Sequence, residues 1–290
     1  MKIIQLFLLM TIYSNANAFS INFSDIGKII DAGTKVVEGY EGLTEEQEYY
    51  LGRAVSARIL GYHPYVPDQV KNDYVNNLVV YLAWHSSRPE TFGGYHGAVF
   101  ESEVANAFSA PGGLILISSS LLNGLENEDE LAAILAHEIA HIGLKHGLST
   151  IKESNLAQAA GILGAQALKH SSDDGFANMD LLTASFGSSV DDVVSTVTTA
   201  GYSRSQELEA DQEALKILYK AGYSTEALSI VLKRQQQNVT KVNDEFLSSM
   251  TVTHPGDSDR MDKIERFIRS ENIQSKMDGS RTQRFESIIR

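Results

Sequence analysis

The sequence contains no cysteine among its 290 residues. Disulfide bonds are therefore excluded, and a metal site cannot use a thiolate ligand, which leaves histidine and carboxylate side chains as ligands. The cysteine to which a lipid is usually attached is missing as well. The search for metal chemistry thus narrows to the eight histidines and the acidic residues.

Positive charge is scarce. The chain has 24 lysines and arginines against 37 aspartates and glutamates, which gives a formal net charge of −13 at pH 7. Proteins bind nucleic acids and anionic lipid surfaces mainly through clusters of lysine and arginine, and this sequence shows no such cluster. Neither nucleic acid nor an anionic lipid surface is therefore expected to be the main partner.

Long apolar runs are missing too. The run from Ile3 to Ile12 follows Lys2 and precedes NANA, and it is about half as long as the roughly 20 residues of a membrane-spanning helix. A basic start, a short apolar stretch and an A-x-A-like site are typical of a cleavable signal peptide. We predict that residues 1–18 direct export to the periplasm, and that residues 19–290 form one domain without a transmembrane segment.

The hydrophobic pattern predicts a mainly helical α+β fold. A threonine followed by acidic residues begins a predicted helix over residues 44–60, and a second helix is expected over residues 68–84. Alternating apolar and small residues over 95–118, interrupted by a Pro-Gly-Gly turn, predict two or three short strands. The last of these strands is expected to run from Leu114 to Ser118.

The clearest predicted helix covers residues 127–146. Asn127 is expected to cap its N-terminus, with Glu130 as the partner in a capping box and Gly147 at its end. Further helices are predicted over 151–170 and 205–223, followed by two or three charged helices. No helical repeat of the tetratricopeptide kind is evident.

The sequence LAAILAHEIAHIGLKHG places His137 and His141 four positions apart, with Glu138 directly after the first. On a helix the two histidines lie about 40° apart, so their rings can meet one metal ion, and Glu138 flanks that face. A zinc ion lowers the pKa of its bound water to roughly 7, and a glutamate beside it can take the proton during peptide hydrolysis. The motif therefore predicts a zinc peptidase.

A catalytic zinc site normally has three protein ligands, so a third must be found. The metzincin pattern H-E-x-x-H-x-x-G-x-x-H does not fit, because the glycine is Gly143, one position early, and position 147 is glycine. His146 is thus out of register as a ligand. We expect it to support the site or the helix end.

A downstream carboxylate is the remaining source of a third ligand. In SQELEAD, Glu207 and Asp211 are four residues apart and share one helical face. One can bind the metal while the other orients a ligand histidine through its second ring nitrogen. Glu209 lies off that face and is expected to meet solvent or form a salt bridge.

The segments HEIAH, ELEAD and THP, together with NAFSAPGGLILISSSLL and LTEEQEYYLGRAV, carry a resemblance to a known family. They are similar to the gluzincin-type zinc peptidases that include the CaaX prenyl endopeptidases, HtpX and the periplasmic proteins BepA and LoiP. The resemblance covers most of the chain after residue 18. It implies a zincin-like metallopeptidase domain with a small β-sheet next to the HExxH helix.

The resemblance also implies roles for particular residues. It gives one Zn²⁺ per chain with His137, His141 and Glu207 as ligands. Glu138 is then the catalytic glutamate, and Asp211 supports a ligand.

The segment Asn106, Ala107 and Phe108 resembles the stretch of the family that lies beside the cleft. An extended substrate would be laid against it, because an edge strand can pair with substrate backbone while pockets select side chains.

His254 stands in Thr-His-Pro-Gly, which reads first as a loop. A lone histidine before proline is commonly a turn or packing residue, whereas the resemblance allows a role at the metal in one of two ways. As an N–H donor it would stabilise the oxyanion of the substrate carbonyl. As a neutral nitrogen it would occupy the fourth zinc position and hold the enzyme inactive until the loop moves. We favour the second role, because Gly256 and Asp257 suit a mobile loop.

The sequence departs from these relatives, since it lacks the transmembrane helices of HtpX and the prenyl endopeptidases, BepA's repeat domain and LoiP's lipidation cysteine. We therefore predict a periplasmic zinc endopeptidase that acts on unfolded or misfolded envelope proteins in quality control, with peripheral contacts to the membrane or outer-membrane assembly. The alternative is a chaperone or assembly factor of the same fold with little proteolytic activity. Glu138 favours the enzyme, because a pure chaperone does not need that base.

Overall fold

The computed structural model describes residues 43–151, 189–237, 250–254, 258–271, 273 and 278–290. The predicted signal peptide lies outside these residues, as do the loop residues Gly256 and Asp257 and nearly all of the helix predicted over 151–170. Within the described part, the chain is mainly helical with one three-stranded sheet, so the predicted α+β class is confirmed.

The elements follow one another in a simple order. The helices are α1 (Glu45–Tyr62), α2 (Gln69–Ala83), α3 (Ser119–Gly124), α4 (Glu128–Gly143), α5 (His146–Ser149), α6 (Arg204–Ala221), α7 (Glu226–Gln237), α8 (Met250–Thr253), α9 (Ser258–Ser270) and α10 (Gly279–Ile289). The strands are β1 (His96–Phe100), β2 (Ala107–Ala110) and β3 (Leu114–Ser118). A π-helical segment, Thr196–Ala200, precedes α6.

The first two helices begin where their caps predict. The Thr44 side chain accepts a hydrogen bond from the Gln47 N–H, and the Gln47 side chain accepts one from the Thr44 N–H, which completes a capping box. Asp68 caps α2 by accepting from the Lys71 N–H. Such caps stabilise a helix by about 1 kcal/mol each, and both helix predictions are confirmed.

The sheet has the strand order β1-β3-β2. Strand β3 runs parallel to β1 and antiparallel to β2, with Val99 opposite Ile117 and Phe108 opposite Leu116. The strand predicted from Leu114 to Ser118 is confirmed as β3. Strand β2 therefore lies at one edge of the described sheet, next to α4.

Helix α4 is buried along almost its whole length and packs against α6, α2 and the sheet. Asn127 caps it as predicted, but the Glu130 carboxylate accepts from the Glu126 N–H at 2.8 Å, one residue before the N-cap. The predicted end of this helix is wrong. It stops at Gly143, because Lys145 adopts a left-handed conformation with φ 58° and turns the chain into α5.

The acidic first turn of α4 is tied to the C-terminal helices. Each of its three carboxylates pairs with an arginine far along the chain: Glu128 with Arg284, Asp129 with Arg281, and Glu130 with Arg234. These arginines lie on α7 and α10, so the helix that carries the HExxH motif is anchored from the opposite end of the chain.

Helix α6 confirms the helix predicted over 205–223. Ser203 and Gln206 form its capping box, and Gly222 ends it at φ 77°, a left-handed conformation that glycine adopts without strain. None of the described helices is both long and apolar enough to cross a membrane.

Candidate metal centre

The two histidines of the motif face each other on α4. Their Nε2 atoms are 3.0 Å apart, and both side chains are buried. Glu207, in the first turn of α6, reaches both rings: its carboxylate oxygens lie 3.4 Å from the Nε2 of His137 and 3.4 Å from the Nε2 of His141. Helix packing thus brings the predicted third ligand to the two histidines.

His254 completes the cluster from the segment that follows α8. Its Nδ1 lies 3.3 Å from the Nε2 of His137 and 3.0 Å from a carboxylate oxygen of Glu207. One ligand atom from each of these three residues and from His141 falls within 4.8 Å of all the others. Three imidazole groups and one carboxylate suit a divalent ion such as zinc.

Glu138 shows that the cluster can take a further group. Its side chain is 0% exposed, and neither carboxylate oxygen has a hydrogen-bond partner among the described residues. The Nε2 of His254 lies 3.6 Å from a carboxylate oxygen of Glu138. A buried carboxylate without a hydrogen bond is costly, so the site fits a metal and a water that would sit beside this glutamate.

Charge in the cluster shifts the protonation of its members. Burial alone would lower the pKa of His137, but Asp211 and Glu207 outweigh it and raise the pKa to about 9. Burial lowers the pKa of His141 well below its usual value, and the nearby His137 adds to this effect. Burial would raise the pKa of Glu207, yet His254 and Arg260 hold it well below normal. The carboxylate is therefore ionised, as a ligand must be.

The Nδ1 atom of each motif histidine also has a polar neighbour. The Nδ1 of His137 lies 3.1 Å from an Asp211 oxygen, and the Nδ1 of His141 lies 2.9 Å from the Nδ1 of His146. His146 in turn lies 3.3 Å from the carboxylate of Glu209, which is mostly exposed. Both rings thus keep Nε2 for an ion, and His146 supports His141 instead of binding at the third position.

Arg260 is a site residue that the sequence reasoning missed. Its buried guanidinium donates to Asp211 at 2.7 Å, pairs with Glu207 at 2.7 Å and donates to the backbone carbonyl of His254 at 3.3 Å. It neutralises two carboxylates at once and joins α9 to the His254 segment. No short-range pattern marks this arginine, because its partners lie elsewhere in the chain.

The segment expected to meet substrate lies at the sheet edge. Asn106, Ala107 and Phe108 are buried as whole residues, backbone included. The carbonyl of Asn106 accepts from the Ser118 N–H, which turns the N–H groups of Ala107 and Ser109 away from β3. The Asn106 side chain covers the Ala107 N–H at 2.8 Å.

Two histidines separated by one helical turn, a glutamate between them and a carboxylate ligand on a second helix define a metallopeptidase centre of the gluzincin type. The family model described as Peptidase family M48 matches residues 69–268, so the chain belongs to this family. That match and the buried His/Glu cluster make it a metallopeptidase.

Named relatives agree with the family. The chain is 25% identical to the beta-barrel assembly-enhancing protease of Escherichia coli over 191 residues. This aligned region covers 65% of this chain and 37% of the relative. It is 26% identical to the E. coli metalloprotease YcaL, over 59% of this chain and 61% of that one. It is 29% identical to the mitochondrial metalloendopeptidase OMA1 of Saccharomyces cerevisiae, over 58% of this chain and 44% of that protein. The matched region thus spans 37 to 61% of these relatives' lengths, less than two thirds in each case.

Proposed function

We propose that this protein is a zinc-dependent endopeptidase that hydrolyses peptide bonds of unfolded or misfolded envelope proteins. The observation that carries the proposal is the buried cluster of His137, His141 and Glu207 with the unpartnered Glu138 beside it. The names of the relatives, among them a beta-barrel assembly-enhancing protease, support a role in the envelope.

The residues divide the chemistry between them. A bound zinc ion supplies a Lewis acid and lowers the pKa of the attacking water. Glu138 takes the proton from that water and delivers it to the leaving amine, and its burial keeps competing water away from the carboxylate. Glu207 would hold the metal together with His137 and His141, while Asp211 and His146 would keep the two histidine rings turned with Nε2 inward.

The sheet edge supports an extended substrate. A chain that adds to β2 as a strand would pair with the outward backbone groups of Ala107 and Ser109, because these face away from β3. A folded protein does not offer a free extended segment, so this geometry favours unfolded chains. The Asn106 side chain occupies one of these positions and would have to yield as substrate binds.

His254 serves in this proposal as a removable fourth ligand. Its Nδ1 lies among the ligand atoms, and its Nε2 points towards Glu138. In this position the ring could take the coordination position that the attacking water needs. An oxyanion donor would instead stand back from the ligand atoms, so the geometry supports the inhibitory role.

Periplasmic location and partners belong to the same proposal. The assembly-enhancing relatives suggest unfolded outer-membrane β-barrel proteins as substrates, with contacts to the machinery that assembles them. We expect peripheral contacts with the outer membrane, and no binding of nucleic acid.

The test measures cleavage of a denatured β-barrel protein and its folded form by the zinc-loaded protein. We expect cleavage of the denatured form alone, loss of cleavage with a chelator and recovery with zinc. Glu138→Gln should keep zinc and lose about 10² to 10⁴ in rate, because only the base is removed. The exposed Glu271→Gln is the matched control. Metal-independent protection of the denatured protein without any cleavage would instead support the chaperone.

A further inference from the structure

A small pocket lies beside the metal centre and has no part in the chemistry described so far. It is bounded by strand β2 on one side and by α4 and α5 on the other, and His141 and Tyr202 form its inner wall. Lys145 and Leu148 stand at its rim, where they are partly exposed. Its volume is about 10 Å³.

Two hydroxyl groups lie in this pocket without hydrogen bonds. Tyr202 is 7% exposed and Ser109 is 3% exposed, and neither hydroxyl has a hydrogen-bond partner among the described residues. A phenol hydroxyl can donate a hydrogen bond, and a serine hydroxyl can donate or accept one. Buried hydroxyl groups without hydrogen-bond partners are costly, so we expect a polar group to bind beside them.

The position of Tyr202 is fixed from several sides. Its ring stacks on that of His141, with the ring centroids 4.1 Å apart and the planes 17° from parallel. The preceding Gly201 has φ 75°, and a Cβ there would lie 2.5 Å from the carbonyl oxygen of Thr253. Only glycine permits this close approach. The phenol is thus held against a metal ligand and cannot turn to solvent without disturbing the His254 segment.

The size and position of the pocket limit what can fill it. A volume of about 10 Å³ accommodates one water molecule or one polar atom of similar size. Ser109 also lies on β2, the edge strand of the described sheet, where the proposed substrate adds as a strand. The occupant can therefore belong to a substrate side chain.

We propose that Ser109 and Tyr202 form a subsite that binds the hydroxyl group of a substrate serine or threonine next to the cleaved bond. This inference rests on the proposed peptidase function. A site that hydrogen-bonds a substrate hydroxyl discriminates against a residue that lacks it, because the buried partners are then left unpaired. We expect serine to be preferred over alanine at that position by about tenfold, the effect of one such hydrogen bond.

The experiment separates binding from cleavage. A peptide pool from a digested, denatured protein is cleaved by the zinc-loaded protein, and the products are identified by mass spectrometry. The same pool is bound to Glu138→Gln, and the retained peptides are identified. Both measurements are repeated with Tyr202→Phe, which keeps the ring on His141, and with Ser109→Ala. Tyr219→Phe, at an exposed tyrosine, is the matched control.

The expected result is a preference for serine or threonine at one fixed position, reduced to near equality with alanine in Tyr202→Phe and Ser109→Ala at unchanged zinc content. Cleavage without this preference, or a preference that both variants retain, would overturn the subsite and leave the pocket to a water molecule. Serine-selective binding without cleavage would support the subsite and overturn the peptidase function. Neither cleavage nor selective binding would overturn both.

Discussion

Each of the two predicted ligand histidines on α4 has a group behind it that fixes its orientation. Asp211 stands at the Nδ1 of His137, and His146 stands at the Nδ1 of His141. Groups in such positions keep Nε2 available to the ion and typically change metal affinity by about 10 to 100-fold. The support comes from α6 in one case and α5 in the other. The two rings are therefore held by different parts of the fold.

Replacement of Glu207 tests the third ligand. Glu207→Ala should lose zinc on dialysis together with activity, because it removes a ligand atom from between the two histidines. Glu209→Ala, two residues along the same helix and mostly exposed, is the matched control and should retain zinc. The measurement is zinc per chain by atomic emission after dialysis. Full zinc content in Glu207→Ala would assign the third position to another carboxylate.

The HExxH part of the candidate site could be predicted from sequence because its spacing is local. His137, Glu138 and His141 fall within five positions of one helix, so helical geometry alone places them together. Arg260 and Tyr202 could not be predicted in this way. Each touches the site only because α6, α9 and the residues before α6 pack around α4, and no spacing in the sequence encodes those contacts.

At the scale of elements, the His254 segment is held by its neighbours on three sides. The His254 N–H donates to the Met250 carbonyl at 2.8 Å, and Thr253 packs against Gly201. Arg260 of α9 donates to the His254 carbonyl. Release of the His254 ring from the metal site must therefore move a backbone segment that α8, α9 and the end of the π-helical segment all contact.

Removal of the His254 ring should activate the enzyme if the ring is a removable fourth ligand. We expect His254→Ala to raise basal cleavage of an unfolded substrate at unchanged zinc content, because three ligands remain and the fourth position opens. The initial rate is measured beside zinc content, with His85→Ala, at a partly exposed histidine, as the control. A fall in rate would favour the oxyanion role, and an unchanged rate would give His254 a packing role only.

The first turn of α4 offers a test of stability. Burial would raise the pKa of Glu128, but hydrogen bonds from Arg284, Tyr223 and Tyr74 lower it. A carboxylate with a lowered pKa stabilises the folded state above its unfolded pKa of about 4.3, and this contribution is lost as the pH falls through the lower folded value. Glu128→Gln should therefore cost roughly 1 to 3 kcal/mol at pH 7.

The measurement is urea unfolding at pH 7, 5 and 4 with a chelator present, so that zinc does not contribute. The gap between the parent and Glu128→Gln should narrow below pH 4.3. Glu286→Gln, an exposed position on α10, serves as the control and should show no gap. A gap of constant size across this range would mean that the charge of Glu128 has no part in stability.

Helix starts could be predicted because their caps are local, as Thr44 with Gln47 and Ser203 with Gln206 show. The end of α4 could not, because it depends on a lysine in a left-handed conformation that this residue type rarely adopts. The partner of Glu130 was missed for a related reason. Arg234 lies 104 positions away and reaches it only through the packing of α7 on α4.

At the scale of the whole molecule, α4 lies between two hydrophobic clusters. One contains its own apolar residues with those of α2, α6 and the C-terminal helices, and the other contains α1, Phe108 and the valines that precede Thr196. Tyr202 belongs to the second cluster and stacks on His141. The candidate metal centre therefore lies where the two clusters meet, and its predicted ligands come from α4, α6 and the His254 segment.

Because the ligands come from three separate segments, a bound ion should stabilise the whole fold. A ligand that binds only the folded state stabilises it by about 4 kcal/mol at a thousandfold excess over its dissociation constant, which for a chain of this size raises Tm by on the order of 10 °C. We expect a chelator to lower Tm by that amount and added zinc to restore it, measured by calorimetry. Glu207→Ala is the control. Because this variant lacks one of the predicted zinc ligands, the chelator should shift its Tm little. An unchanged Tm in the parent after verified removal of zinc would show that the buried cluster of His137, His141 and Glu207 keeps its structure without an ion, held by Arg260 and Asp211 alone.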